Sequence, residues 1–282
     1  MVLSSFIITF RETLEAALII GIILAYLIKT KREKYNNIIY LGIVSAVIAS
    51  IIGAFLFNML AGGFTGRAEE IFEGTAMIFA AFLITFMIIW MLNQKHIVVD
   101  LHKKVDKEVG EHHRAGLFFL VFISVFREGI ETVIFLGAAS FASAENNIPG
   151  ALFGIIAAII LGYAIFVWSK KINIKAFFNA TSILLILFAA GLVAHGIHEF
   201  EEAKLLNPII EHVWDINPAA PLAEKGIYPL LHENGMIGSL LKGLFGYNGN
   251  PSLLEVLFYI GYFVVIFLVY RRIESNKSYL KE

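Results

Sequence analysis

The chain has 282 residues, of which 58% are hydrophobic and only 16% charged, with a mean hydropathy of +0.77 and a formal net charge of -1. Such a composition excludes an ordinary soluble domain and reads as an integral membrane protein. The near-zero charge says little about partners, though no nucleic acid is expected among them, and the absence of cysteine excludes disulfides, thiolate metal ligands and iron-sulfur clusters.

Seven apolar runs are long enough to cross a hydrocarbon layer of roughly 30 Å, and backbone satisfaction in lipid makes each a helix. The first, Ser4 to Ile28, contains "RETLEAALIIG", three charges in an otherwise apolar span. It lacks a basic leader and a small-residue cleavage site, so it is expected to be retained rather than removed as a signal peptide. The basic loop "KTKREK" follows, then the second run, Ile38 to Leu60. The third, Ile71 to Leu92, is preceded by Arg67, Glu69 and Glu70 and opens with Glu73. A polar link, Asn93 to Arg114, predicts a cytoplasmic surface helix, and its His96, His102, His112 and His113 read as a solvated, lysine-rich loop.

The fourth run, Ala115 to Phe141, carries "REGIETVIFLG". The fifth is Pro149 to Trp168, and the sixth, Ala176 to Ile197, leads into His195, His198, Glu199 and Glu202, whose spacing places them near the outer end of one helix. A long external segment, 199–251, is too polar to span, although its "GSLLKGLFGY" can lie on the bilayer surface. The seventh run, residues 252–270, places Glu255 near its start, where it reads as an interfacial residue. Alternate loops hold 16 of the 22 lysines and arginines, which puts the N-terminus outside and the C-terminus in the cytoplasm.

Shifting the chain by 116 residues superimposes Phe10, Arg11, Glu12, Glu15 and Gly21 on Phe126, Arg127, Glu128, Glu131 and Gly137. The unit is three helices, residues 1–93 and 115–200. Because three is odd, the second copy enters from the opposite side: a 3+3 inverted-topology repeat plus one extra C-terminal helix, the layout of many secondary transporters. The whole chain, 1–282, reads as one all-α membrane domain.

At helical spacing Arg11, Glu12 and Glu15 project broadly to one side, as do Arg127, Glu128 and Glu131. Each charge costs about 2.5–3.5 kcal/mol at mid-bilayer, so six of them require a shared polar interior. If the arginines merely neutralised glutamates, one Arg could not offset two Glu. The surplus carboxylate marks a cation site or a proton relay, and hard oxygen donors suit Fe(III), Mn(II), Mg(II) or Ca(II) and tolerate Fe(II), whereas copper(I) wants sulfur. The arginines orient the carboxylates through charge-assisted hydrogen bonds. Gly21 and Gly137, six residues beyond the second motif glutamates, read as close-packing positions without chemistry.

Two R-E-x-x-E motifs on the first and fourth of seven spans, together with "RAEEIFEGTAMIFAAFLITFMIIWM" and "AAGLVAHGIHEFEEA", resemble the high-affinity iron permease family, which includes the oxidase-dependent iron transporter of fungi and the bacterial Efe-type permease. The resemblance implies a multi-pass permease of the cell membrane that is not an enzyme. It carries the family's iron-handling role onto Glu12, Glu15, Glu128 and Glu131, supported by Arg11 and Arg127. The motif's usual third residue is glycine: Gly129 matches and Thr13 departs. The expected substrate is iron, Fe(III) supplied by a separate extracytoplasmic oxidase or iron-delivery protein, with no permanently bound cofactor. Glu73 is expected to receive the ion at the outer mouth, with Glu69, Glu70, His195, His198, Glu199 and Glu202 as further ligands there. The alternatives are a divalent carrier for Fe(II), Mn(II) or Pb(II), a proton-coupled carrier of an organic substrate, and a haem-bearing redox subunit, for which His195 is the nearest axial ligand.

Overall fold

The structure, a computed structural model, describes residues 2–93, 104–108, 114–142, 148–168, 174–216, 228–232 and 235–279. Every apolar run forms a helix: α1 (Val2–Lys29), α2 (Asn36–Ala61), α3 (Arg67–Asn93), α4 (Arg114–Phe141), α5 (Ile148–Trp168) and α6 (Ile174–Glu202) are followed by a short α7 (Met236–Phe245) and then α8 (Leu253–Tyr279). The expected boundaries hold to within a few residues except where helices extend into polar sequence. Thus α3 begins at Arg67, with Glu69 and Glu70 in its first turn, where acidic groups complement the unpaired N–H groups. Likewise α6 runs on through His198 and Glu199 to Glu202. His96, His102, His112 and His113 lie outside the described residues.

Five helices, α2, α3, α5, α6 and α8, are long and apolar enough to cross a membrane. The other two long helices, α1 and α4, have 28 residues each and differ in carrying an arginine and two glutamates apiece. Large apolar side chains stand exposed on α2 (Ile51, Phe55), α5 (Ile156, Ile160) and α8 (Val265, Phe267), a belt suited to lipid rather than water. The protein is a multi-pass, all-α membrane protein.

Helices pack mainly across the two sequence halves. α1 lies along α5, α4 along α2, α3 against α6, and α1 faces α4, whereas α1 and α2 scarcely touch. Small residues permit this. A Cβ at Gly21 on α1 would run into the Phe166 ring of α5, and one at Gly137 on α4 would run into the Phe57 ring of α2. The α3–α6 crossing is reciprocal, since a Cβ on Gly74 would lie 2.9 Å from the Gly196 carbonyl oxygen and one on Gly196 3.0 Å from that of Gly74.

A fully buried apolar layer joins Ile8 of α1, Met77 and Ala81 of α3, Phe135 of α4 and Leu192 of α6. Outside the repeat, α8 lies on α6 and its Tyr262 hydroxyl shares a 2.7 Å hydrogen bond with Thr85 of α3. The segment between α6 and α8 is tied down by backbone hydrogen bonds from Val213 to Pro251 (2.9 Å) and from Leu253 to Ile210 (3.0 Å). Beneath it, α7 ends at Gly246, which has a left-handed φ of 64° and presses its backbone onto Gly191 of α6, a contact closed to any side chain.

Candidate metal centre

The facing surfaces of α1 and α4 bring the two charged motifs together. On α1, the Arg11 guanidinium is fully buried; its Nη1 reaches Glu12 Oε1 at 2.7 Å and its Nη2 reaches Glu15 Oε1 at 2.7 Å. Nη2 also donates to the Met91 thioether sulfur at 3.0 Å. On α4, Arg127 repeats the pattern, with Nη2 2.9 Å from Glu128 Oε1 and Nε 3.1 Å from Glu131 Oε1. Its side chain is nonetheless 43% exposed, and its guanidinium lies 5.0 Å from the ring centre of Trp90. Adjacent residues in the last turn of α3 therefore contact both arginines.

Glu12, Glu128 and Glu131 each offer a carboxylate oxygen to a cluster whose atoms lie within 4.8 Å of one another. Glu12 and Glu128 are buried, and Glu131 is 18% exposed. No hydrogen bond reaches Glu12 Oε2 or Glu131 Oε2, although both atoms are shielded from solvent. Buried acceptors without donors are costly, and a cation in their midst would relieve that cost. Glu15, expected as a fourth equal member, is the motif glutamate outside the cluster, although like Glu12 it lies 2.7 Å from Arg11. The close approach at Gly129 is also real: a Cβ there would collide with Ser50 of α2.

At the N-terminal end of α3 and the C-terminal end of α6 a second group gathers. Glu73 is half-buried, in electrostatic reach of Glu69 and Glu202, and Glu199 in reach of Glu73, Glu70 and His198. His198 Nε2 lies 3.3 Å from Glu202 Oε1, and its Nδ1 3.1 Å from Glu255 Oε1. His195 points elsewhere: it is buried, with Nδ1 3.0 Å from the Gly191 carbonyl oxygen.

Glu255, in the first turn of α8, is enclosed by protein and 2% exposed. Its Oε1 accepts from the Ser252 N–H at 3.0 Å and its Oε2 from Asn248 Nδ2 at 2.9 Å, while its own N–H donates to Ser252 Oγ at 3.1 Å. Ser252 and Glu255 form a capping box at the start of α8, which the S-x-x-E spacing could have revealed. Glu201, absent from the expected ligands, joins His198 and Glu255 in a group with ligand atoms within 4.8 Å. Three residues from two helices 50 positions apart leave no local signal.

Comparison with known proteins points one way. The sequence profile of the iron permease FTR1 family matches residues 2–275. The chain is 34% identical over 270 residues to the ferrous iron permease EfeU of Yersinia pestis, covering 94% of this chain and 92% of that one. It is 33% identical over 263 residues to the ferrous iron permease EfeU of Escherichia coli O6:H1, covering 92% and 91%. The putative inactive ferrous iron permease EfeU of Escherichia coli K12 is similar to the same extent. No solved structure matches.

Proposed function

Because the chain belongs to the iron permease FTR1 family, we propose that it carries iron across the cytoplasmic membrane through the carboxylate cluster of Glu12, Glu128 and Glu131. The observation that carries the reading is the meeting of three carboxylates from two helices, with buried oxygens that no protein group satisfies. Arg11 and Arg127 hold the glutamates in place and limit their mutual repulsion between ions. Glu15 stays in reach of the cluster as a reserve ligand on Arg11.

Seven crossings with an inverted repeat are supported by the cross-half pairing of α1 with α5 and α2 with α4, which simply exchange when the halves are exchanged. In that arrangement the ion meets Glu73, Glu199 and Glu202 first, with Glu69, Glu70 and His198 around them. It then passes the apolar layer at Ile8, Met77 and Phe135, reaches the cluster and leaves on the cytoplasmic side. A membrane potential negative inside favours this direction by about 2.3 kcal/mol per charge per 100 mV.

The sequence-based expectation of Fe(III) handed over by a separate extracytoplasmic oxidase or iron-delivery protein remains one reading. A second is favoured by two observations: the similar proteins are named ferrous iron permeases, and four glutamates with two arginines leave a formal surplus of two negative charges, matched by Fe(II). Radioactive iron uptake into proteoliposomes, with Fe(II) kept reduced in one arm and Fe(III) citrate in the other, separates them. Glu128→Gln and Glu131→Gln are expected to abolish uptake of the transported form. Uptake at the wild-type rate in both variants would refute the central cluster.

A further inference from the structure

We propose that the two motif arginines have different jobs, Arg11 being a fixed positioning residue and Arg127 a displaceable counter-ion that an arriving cation pushes off Glu128 and Glu131 and that the face of Trp90 retains. This rests on the reading of Glu12, Glu128 and Glu131 as the cation site.

The chemistry begins with a conflict. Arg127 holds Oε1 of Glu128 and of Glu131, at 2.9 and 3.1 Å, and a dication seated on their open Oε2 atoms would lie within a few ångströms of that guanidinium, so the two positive charges repel. That repulsion favours displacing whichever arginine can move. Arg11 has nowhere to go: it is wholly buried, and Glu12, Glu15 and Met91 surround its two terminal nitrogens. Arg127 is 43% exposed and already lies 5.0 Å above the Trp90 ring. An aromatic face attracts a guanidinium most when its charge is not neutralised by a neighbour, so the Trp90 contact strengthens as the carboxylates turn to the metal. Arginine suits the position better than lysine because its planar cation both forks onto carboxylates and stacks on a ring.

An ion pair at a metal site is ordinarily expected to support binding, and Arg127 would do the reverse. A counter-ion that competes with the metal weakens metal binding, so Arg127→Gln should bind iron at least as tightly as wild type while releasing it more slowly. Arg11→Gln, which removes a fixed partner, should bind it less well. Trp90→Ala should weaken binding about three- to thirtyfold, the factor an ordinary cation–π contact is worth. Trp90→Phe should recover part of that loss, since a smaller ring still presents a π face.

Trp90 is one of only three tryptophans, with Trp168 and Trp214, so a Trp168→Phe, Trp214→Phe protein reports on it by fluorescence. The experiment adds Fe(II) anaerobically to that protein in detergent, measuring Trp90 emission together with equilibrium binding of radioactive iron. The expected result is an emission change that saturates with binding and is reduced or absent in the same protein carrying Arg127→Gln. Direct quenching by bound iron would persist in that variant, so an undiminished change overturns the proposal. Bound iron with no emission change overturns it too, as does loss of iron binding in Arg127→Gln. If instead Glu128→Gln and Glu131→Gln bind iron as wild type does, the central site itself is wrong, a distinct failure.

Discussion

The α1 and α4 motifs share an Arg-Glu-x-x-Glu pattern and the same pair of ion contacts, yet one arginine is sealed and the other is 43% exposed. The i,i+4 bond from arginine to the second glutamate is local and follows from helix geometry in both copies. What covers the arginine is not local. Met91 closes over Arg11 and Trp90 lies flat beside Arg127, two consecutive residues of a third helix that meet the pseudo-symmetric pair differently. The sequence carries two like motifs, and packing against the C-terminal end of α3 makes them unequal.

The largest test of that contrast is removal of each arginine. Arg11→Ala leaves Glu12 and Glu15 buried beside an absent partner and should lower stability by about 3–5 kcal/mol. Arg127→Ala removes a half-exposed cation but still leaves buried Glu128 without its partner, and should cost less, about 1–3 kcal/mol. Thermal unfolding in detergent compares them, and equal losses would break the distinction.

The motif's third residue offers a smaller effect. Gly129→Thr forces a side chain into Ser50 and should cost about 1–3 kcal/mol, whereas Thr13→Gly should cost only about 0.5 kcal/mol through lost helix propensity. Purified yield and unfolding midpoint report both. If Gly129→Thr is as mild as Thr13→Gly, the two halves fit more alike than the structure has them.

The glycines that seat the rings come next. Phe57 is packed among Phe72 and Phe141 at centroid distances of 6.2 and 6.0 Å, so it yields poorly to a Cβ at Gly137. Phe166 is 36% exposed and can swing away from one at Gly21. Gly137→Ala should therefore cost about 1–2 kcal/mol and Gly21→Ala less; a denaturation series with the reverse order would show that the α1–α5 seam is the tighter one.

Much of this was legible in the chain. Apolar run length foretold the seven long helices to within a few residues, because a segment that must satisfy its backbone in lipid has little choice but to be helical. The motifs at Arg11 and Arg127 announced a buried polar centre, because six charges in apolar spans are tolerable only together. Glu15 was less legible: spacing gave it the same standing as Glu131, but which carboxylates converge depends on side-chain geometry across two helices. The enclosure of Glu255 was not legible because its partners, His198 and Asn248, come from α6 and from the segment before α8.

The sequence by itself determined the helices, the duplicated motif and the excess of carboxylate, since these follow from hydropathy, period and charge along the chain. Only the tertiary structure decided that helices pair across halves rather than within them, that Glu12, Glu128 and Glu131 offer oxygens to one cluster while Glu15 does not, and that Arg127 is the more exposed of the two motif arginines. Those choices depend on which surfaces meet at Gly21, Gly137 and the end of α3, and contacts between residues over a hundred positions apart leave no periodic trace in the chain that forms them.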